Sequence, residues 1–194
     1  MEFKQSPQSG NSYSHMWDVA SMKTYDGGFL LDKATVPADL EYLPKGAFLA
    51  CNLTDRKAKF VKTAVVHENV TAESTTLKIK KGHFLKSTDV IGTGTKSVAV
   101  GTIDTSDSDY DSITIVANSL GALTAGAILQ SYKEAGSNKE KLLPNAINPF
   151  DVKIDSEPTV SGMFRADGIV KSRLPQKVAA DFESALPHCQ FLTL

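Results

Sequence analysis

Leu77-Lys78-Ile79-Lys80-Lys81-Gly82-His83-Phe84-Leu85-Lys86-Ser87-Thr88-Asp89-Val90-Ile91 runs an alternating strand into a glycine turn and closes on an apolar pair. The same phrase returns further on. Ile113-Thr114-Ile115-Val116 is followed by Leu120-Gly121-Ala122-Leu123-Thr124-Ala125-Gly126-Ala127-Ile128-Leu129. A looser third copy is Leu43-Pro44-Lys45-Gly46-Ala47-Phe48-Leu49-Ala50. Glycine supplies the positive φ of a tight turn, and the flanking apolar residues alternate as half-buried strands do. Short strands recurring with turn signals indicate a small β-barrel or sandwich. The phrase holds no reactive group, so it describes a scaffold.

Strand signals continue on both sides of this region. Lys59 to Val66 alternates, as do Val98-Ala99-Val100-Gly101-Thr102-Ile103, Asp151 to Ile154 and Val160 to Val170. β-branched density and close turns leave little room for helices before residue 170. One helix is predicted over 176–186, between Pro175 and Pro187, with Val178, Phe182, Ala185 and Leu186 on one face. Gln190 to Leu194 is predicted as a final, paired strand. The expected fold is therefore mainly β: a small antiparallel β-barrel or sandwich domain with an extended N-terminal arm and one short C-terminal helix. The core is expected to bury Phe48, Val65, Leu77, Ile79, Val90, Val100, Ile115, Ile128 and Val170.

The arm covers residues 1–27 and the β domain 28–194. Residues 1–15 are rich in Ser, Gln, Asn and Gly, a composition that cannot offset its own ordering entropy. Large anchors then accumulate: Tyr13, Met16, Trp17, Val19, Met22 and Tyr25. Polar chain studded with aromatic and Met anchors suits coupled folding and binding, so Tyr13, Met16, Trp17, Met22 and Tyr25 are the expected capsid or subunit contacts. Docking as a first strand on its own domain is the competing expectation for this stretch.

Composition narrows the function classes. The 21 Lys plus Arg nearly balance 22 Asp plus Glu, so no global field draws the chain to nucleic acid or an anionic membrane. A hydrophobic fraction of 41% is slightly low for a globular protein and favours burial against copies of itself or a partner. Cys51 and Cys189 are too few and too distant for a disulfide framework and read as reduced core residues. Met1 to Gly10 has no apolar h-region, which predicts no signal peptide and synthesis in a cytoplasm. No apolar run reaches the length of a membrane span.

Against that background the chain resembles one family. Trp17-Asp18-Val19-Ala20-Ser21-Met22, Tyr25-Asp26-Gly27-Gly28, Leu43-Pro44-Lys45-Gly46 and Lys62-Thr63-Ala64-Val65-Val66 stand in a characteristic order. Lys80-Lys81-Gly82-His83, Ile103-Asp104-Thr105-Ser106 with Asp109-Tyr110-Asp111, Pro144-Asn145-Ala146 and Arg173-Leu174-Pro175 continue it. In these elements the chain is similar to the head fibre proteins of tailed bacteriophages of the Bacteroides and crAss-like type, from about residue 17 to the C-terminus. The resemblance implies a structural virion protein on the outer capsid surface, made in the host bacterial cytoplasm, contacting the major capsid protein as a homotrimer. It implies no enzyme and no cofactor. No sustained a/d heptads occur, so the long coiled coil of some head fibres is missing and a decoration module is the better description. The alternative is a surface-displayed β module binding a host glycan or receptor.

Other constellations carry less. Asp104, Asp107, Asp109 and Asp111 make an oxygen-rich loop, but the mid-loop glycine and twelfth-position Glu of a calcium loop are missing, so a solvated turn is expected. His15, His67, His83 and His188 share no metal-ligand spacing, and no metal site is expected. Gly92-Thr93-Gly94-Thr95-Lys96-Ser97 lacks phosphate-loop spacing and reads as a hairpin turn. Arg56, Lys57 and Lys59, and Lys78, Lys80 and Lys81, are two basic clusters suited to a solvated face or an acidic capsid patch. They have no interleaved aromatics for nucleic acid. No two acids show the pairing a glycosidase needs, so no catalytic residue is named.

Overall fold

The computed structural model describes residues 16–193. The first elements of the described residues are β1 (Asp18–Thr24) and β2 (Phe29–Leu31), and a 3-10 turn at Lys33–Thr35 leads to β3 (Tyr42–Leu43). β4 (Phe48–Asn52), β5 (Lys57–Val61) and β6 (Thr63–Val65) follow. The middle of the chain forms β7 (Thr76–Lys80), β8 (Val90–Thr93), β9 (Lys96–Ala99), β10 (Ile103–Asp104) and β11 (Tyr110–Thr114). Next are β12 (Ile128–Ser131), β13 (Gly136–Ser137), β14 (Ala146–Ile147), β15 (Val152–Lys153) and β16 (Thr159–Val160). β17 (Met163–Val170), a 3-10 turn at Lys171–Arg173, α1 (Ala180–Ala185) and β18 (Cys189–Leu192) complete it. With 42% strand and 7% helix the protein is mainly β, and its largest sheet curls into a half-barrel.

That sheet runs β1-β17-β14-β4-β5-β2-β16, with β18 also on β17. It is buried on both faces, which explains the unbroken apolar run Phe48-Leu49-Ala50-Cys51. Successive strand residues point to opposite faces. Phe48, Val61 and Ile147 enter one core with Trp17, Met163, Phe182 and Leu186. Their neighbours Leu49, Phe60 and Ala146 enter another with Phe29, Leu31, Val36 and Leu43. Phe48 meets Phe182 edge-on at a 4.9 Å centroid distance, so α1 is held over the first of these faces by an aromatic contact.

The repeated phrase builds the remainder. Each copy contributes one strand to a three-stranded sheet, β10-β11-β7, and one to a five-stranded sheet, β13-β9-β8-β12-β6. Equivalent strands of the two copies pair with each other: β7 with β11 and β8 with β12, both antiparallel. The two copies therefore pair strand for strand. Gly82 (φ 82°) and Gly126 (φ 85°) take the positive φ that the sequence reserves for them. Leu77, Ile79, Ile91, Ile113, Leu123 and Leu129 fill the core between the two sheets.

Phe48, Leu77, Ile79, Val100, Ile115 and Val170 are buried as expected. Val65, Val90 and Ile128 are only half-buried. These strands lie where the sequence predicts them but in the opposite phase: Ala64, Ile91 and Leu129 point to the core, while Val65 and Ile128 form a cross-strand pair on the other face. The helix is six residues rather than the eleven expected over 176–186. Gln176 lies in a bend rather than a helical turn, and its side chain accepts from Thr63 N (2.9 Å) and donates to Val61 O (3.2 Å). Those bonds, and Thr63 Oγ1 donating to Lys177 O, outcompete the first helical turn. Phe182 and Leu186 are buried by α1 as expected, and Val178 is half-buried against the same core. The C-terminal strand is paired, parallel to β17. Cys51 and Cys189 are free and buried.

Candidate functional site

The expected contact residues begin at the first described positions. Trp17 is 2% exposed, and Met16 and Met22 pack half-buried against its core. Met16 O accepts from Val170 N at 2.8 Å, and Lys45 Nζ lies 4.6 Å above the Trp17 ring. Tyr25 is half-buried between Phe29 and Phe164. Tyr13 lies outside the described residues. Residues 16–27 thus dock on their own domain, the competing expectation for this stretch. They are ordered by their own domain, because an indole this large has a core site waiting and β17 offers a strand edge to pair with.

β1 is itself irregular. Between Asp18 and Lys23 its partner advances only from Asp167 to Arg165, so β1 arches outward. Asp18 Oδ1 accepts from Ala20 N, Ser21 Oγ donates to Asp18 O, and Asp167 N donates to Ser21 Oγ. The arch lifts Val19 to 55% exposure, on the end strand of the largest sheet.

In a second group, Lys62 and Asp89 carry no chemical signal in the sequence, whereas Lys81, His83 and Asp111 stand there only as members of a basic cluster, a histidine set and an acidic loop. Lys62 lies 1% exposed where β5 passes into β6, and its Nζ meets Asp89 Oδ2 at 2.5 Å. Burial pulls the Lys62 ammonium below its ordinary pKa, opposed by Asp89. Asp89 Oδ2 also accepts from Lys86 N. Nearby, Asp111 accepts from Lys81 Nζ through one oxygen and from His83 Nε2 (2.9 Å) through the other. Leu85 N donates to His83 Nδ1 at 3.0 Å, which places the ring proton on Nε2. Burial lowers the His83 pKa, again with Asp111 opposing. Both ring nitrogens are occupied, so the His83–Asp111 pair locks the Gly82 turn.

Beside that lock, β6, the Lys80–His83 turn and Pro175-Gln176-Lys177 line a cleft of about 170 Å³. A wider cleft of about 620 Å³ lies between Lys33, the 36–41 segment, Lys86 and Ile154, and carries charges of both signs. The aspartate loop does not converge. Asp104 Oδ1 accepts from Ser106 N, Asp107 Oδ1 from Asp109 N, and Asp111 faces the opposite way into its lysine and histidine. The backbone bonds hold the Asp104 and Asp107 carboxyls below their ordinary pKa. Among the described residues no three His, Cys, Asp or Glu side chains gather as metal ligands.

The basic clusters divide. Arg56 stacks on Phe29 (4.2 Å) and donates to Asp26 O. Lys78 pairs with Glu68 at 3.0 Å and lies over Tyr110. Gly94-Thr95 is the two-residue turn of the β8–β9 hairpin, as its sequence indicated. Lys62 could not be found from sequence, because a lysine within an alternating strand looks like an outward-facing one. No protein-family model matches the chain, and neither a curated protein nor a solved structure matches it.

Proposed function

We propose that this chain is a structural virion protein, a head fibre or decoration protein bound as a homotrimer to the outside of a tailed-phage capsid through the major capsid protein. The ordered series of turns from Trp17 to Pro175 supports the family reading. The observation that carries it furthest is the seating of Met16 and Trp17. A partner bound ahead of Met16 would be coupled to the domain through a buried indole and a backbone bond to Val170. A polar fifteen-residue segment with Phe3 and Tyr13, joined to such a root, suits a tether between a decoration module and a lattice. Its action is mass action: a protein that binds only the assembled lattice stabilises that lattice.

The test is electron microscopy of purified heads made with and without this protein, together with light scattering of the free protein. The expected result is added density outside the capsid shell at local threefold positions, and a solution mass three times the 20.9 kDa chain. Heads indistinguishable in the two preparations would sink the reading.

A further inference from the structure

The cleft between β6, the Gly82 turn and residues 175–177 has a one-sided charge. Lys80, Lys81 and Lys177 line it with His83, Thr63 and Gln176, and no carboxylate is among its lining residues. Asp111 lies behind it, buried, with both oxygens already accepting. Lys81 is neutralised by Asp111 and also donates to Thr105 O. His83 is neutral in its hydrogen-bonded tautomer. That leaves Lys80 and Lys177, both exposed, as two surplus positive charges on one small concavity. Lys78, which belongs to the same strand, is satisfied by Glu68 and contributes nothing there.

The walls are rigid. Gln176 is fixed to Val61 and Thr63 by two side-chain bonds, and Thr63 Oγ1 is fixed to Lys177 O. On the other side His83 and Asp111 hold the turn. A concavity that brings two charges to bear on one counter-charge attracts it more strongly than an isolated surface lysine does. Its volume of about 170 Å³ corresponds to roughly six waters' worth of liquid, enough for one carboxylate-bearing side chain and too small for an oligosaccharide.

The geometry points to this cleft as a docking site for an acidic side chain of a partner protein, gripped between Lys80 and Lys177. In the decoration reading, on which the partner's identity rests, the acid belongs to the coat protein. The probe is acetyl-hexaglutamate-amide, followed by amide chemical shifts of Lys81, Gly82 and Lys177. The comparison is K80Q/K177Q, whose fold is checked by circular dichroism. Hexaglutamate is expected to shift those amides in the wild type, with the effect fading as salt rises from 50 to 300 mM. The double variant should bind about five- to tenfold more weakly, the loss of two partly exposed charge pairs. Equal binding by the variant, no binding by the wild type, or response to a heparin hexasaccharide alone would each overturn the assignment. Decoration of heads separates the two readings. Wild-type protein that binds hexaglutamate but never occupies heads would leave the cleft standing and remove the capsid role. Heads occupied equally by K80Q/K177Q would do the reverse.

Discussion

Lys62 Nζ and Asp89 Oδ2 are 2.5 Å apart, with the lysine side chain 2% exposed and the aspartate 15%. The pair joins the half-barrel sheet to the repeat module, since Lys62 separates β5 from β6 and Asp89 precedes β8. The Lys62 backbone is committed to the same junction: Lys62 N donates to Ser131 Oγ and Ser131 N donates to Lys62 O. Breaking a buried pair from one side strands the other charge, which costs about 3–5 kcal/mol. D89A is therefore expected to destabilise by that amount in urea. K62M/D89N, which removes both charges and keeps the volume, is expected to cost less than D89A. A double variant as unstable as D89A would show that the junction depends on the ion pair itself.

Trp17 is expected to be structural. Truncating a buried Trp to Ala costs about 3–5 kcal/mol. W17A should lower the urea midpoint accordingly. Deleting residues 1–15 should leave the midpoint unchanged, whereas deleting 1–26 removes Trp17 and β1 together and should unfold the domain. In head-binding assays the 1–15 deletion is the informative variant: attachment should fall while the fold persists.

His83 makes stability sensitive to mildly acidic pH. Its pKa is depressed in the fold, so between that value and the ordinary 6.5 the unfolded chain binds a proton that the native chain refuses. The His83 contribution is thus constant above about pH 6.5, declines as pH falls through that window, and levels off below the folded value. Protonation at Nδ1 would also break the bond from Leu85 N. H83Q keeps a donor for Asp111 without titrating. The drop in melting temperature between pH 7.5 and 5.5 should be smaller in H83Q than in the wild type, with Asp111, Lys81 and Lys62 present in both.

The two thiols should be inert. Burial pushes Cys51 up to about 12 and Cys189 up to about 11, against an ordinary 9.0. Thiolate is the reactive species, so labelling with a disulfide reagent at pH 8 should be slow on the native protein. Both thiols should react rapidly in urea. Fast native labelling of either one would place it outside the core.

Period-two alternation, glycine turns, polar loops and reduced cysteines were legible in the chain because each rests on local sterics or composition. Leu77 and Ile79 face inward for the reason their alternation suggests, and Gly82 and Gly126 turn because only glycine adopts that φ at no steric cost. Phase was less secure: Val65 and Ala64 are both apolar, and which one faces the core depends on where β12 lies. Longer-range features were decided by tertiary structure alone. The non-helical path of residues 176–179 comes from a bond between Gln176 and Thr63, 113 residues away. The order of β1 comes from Trp17 and from Ser21 bonding Asp167, 146 residues away. The burial of Lys62 and the one-sided charge of the cleft beside it arise where four separate segments converge. No local pattern encodes such convergence, because a side chain's environment is set by whichever distant strands pack against it.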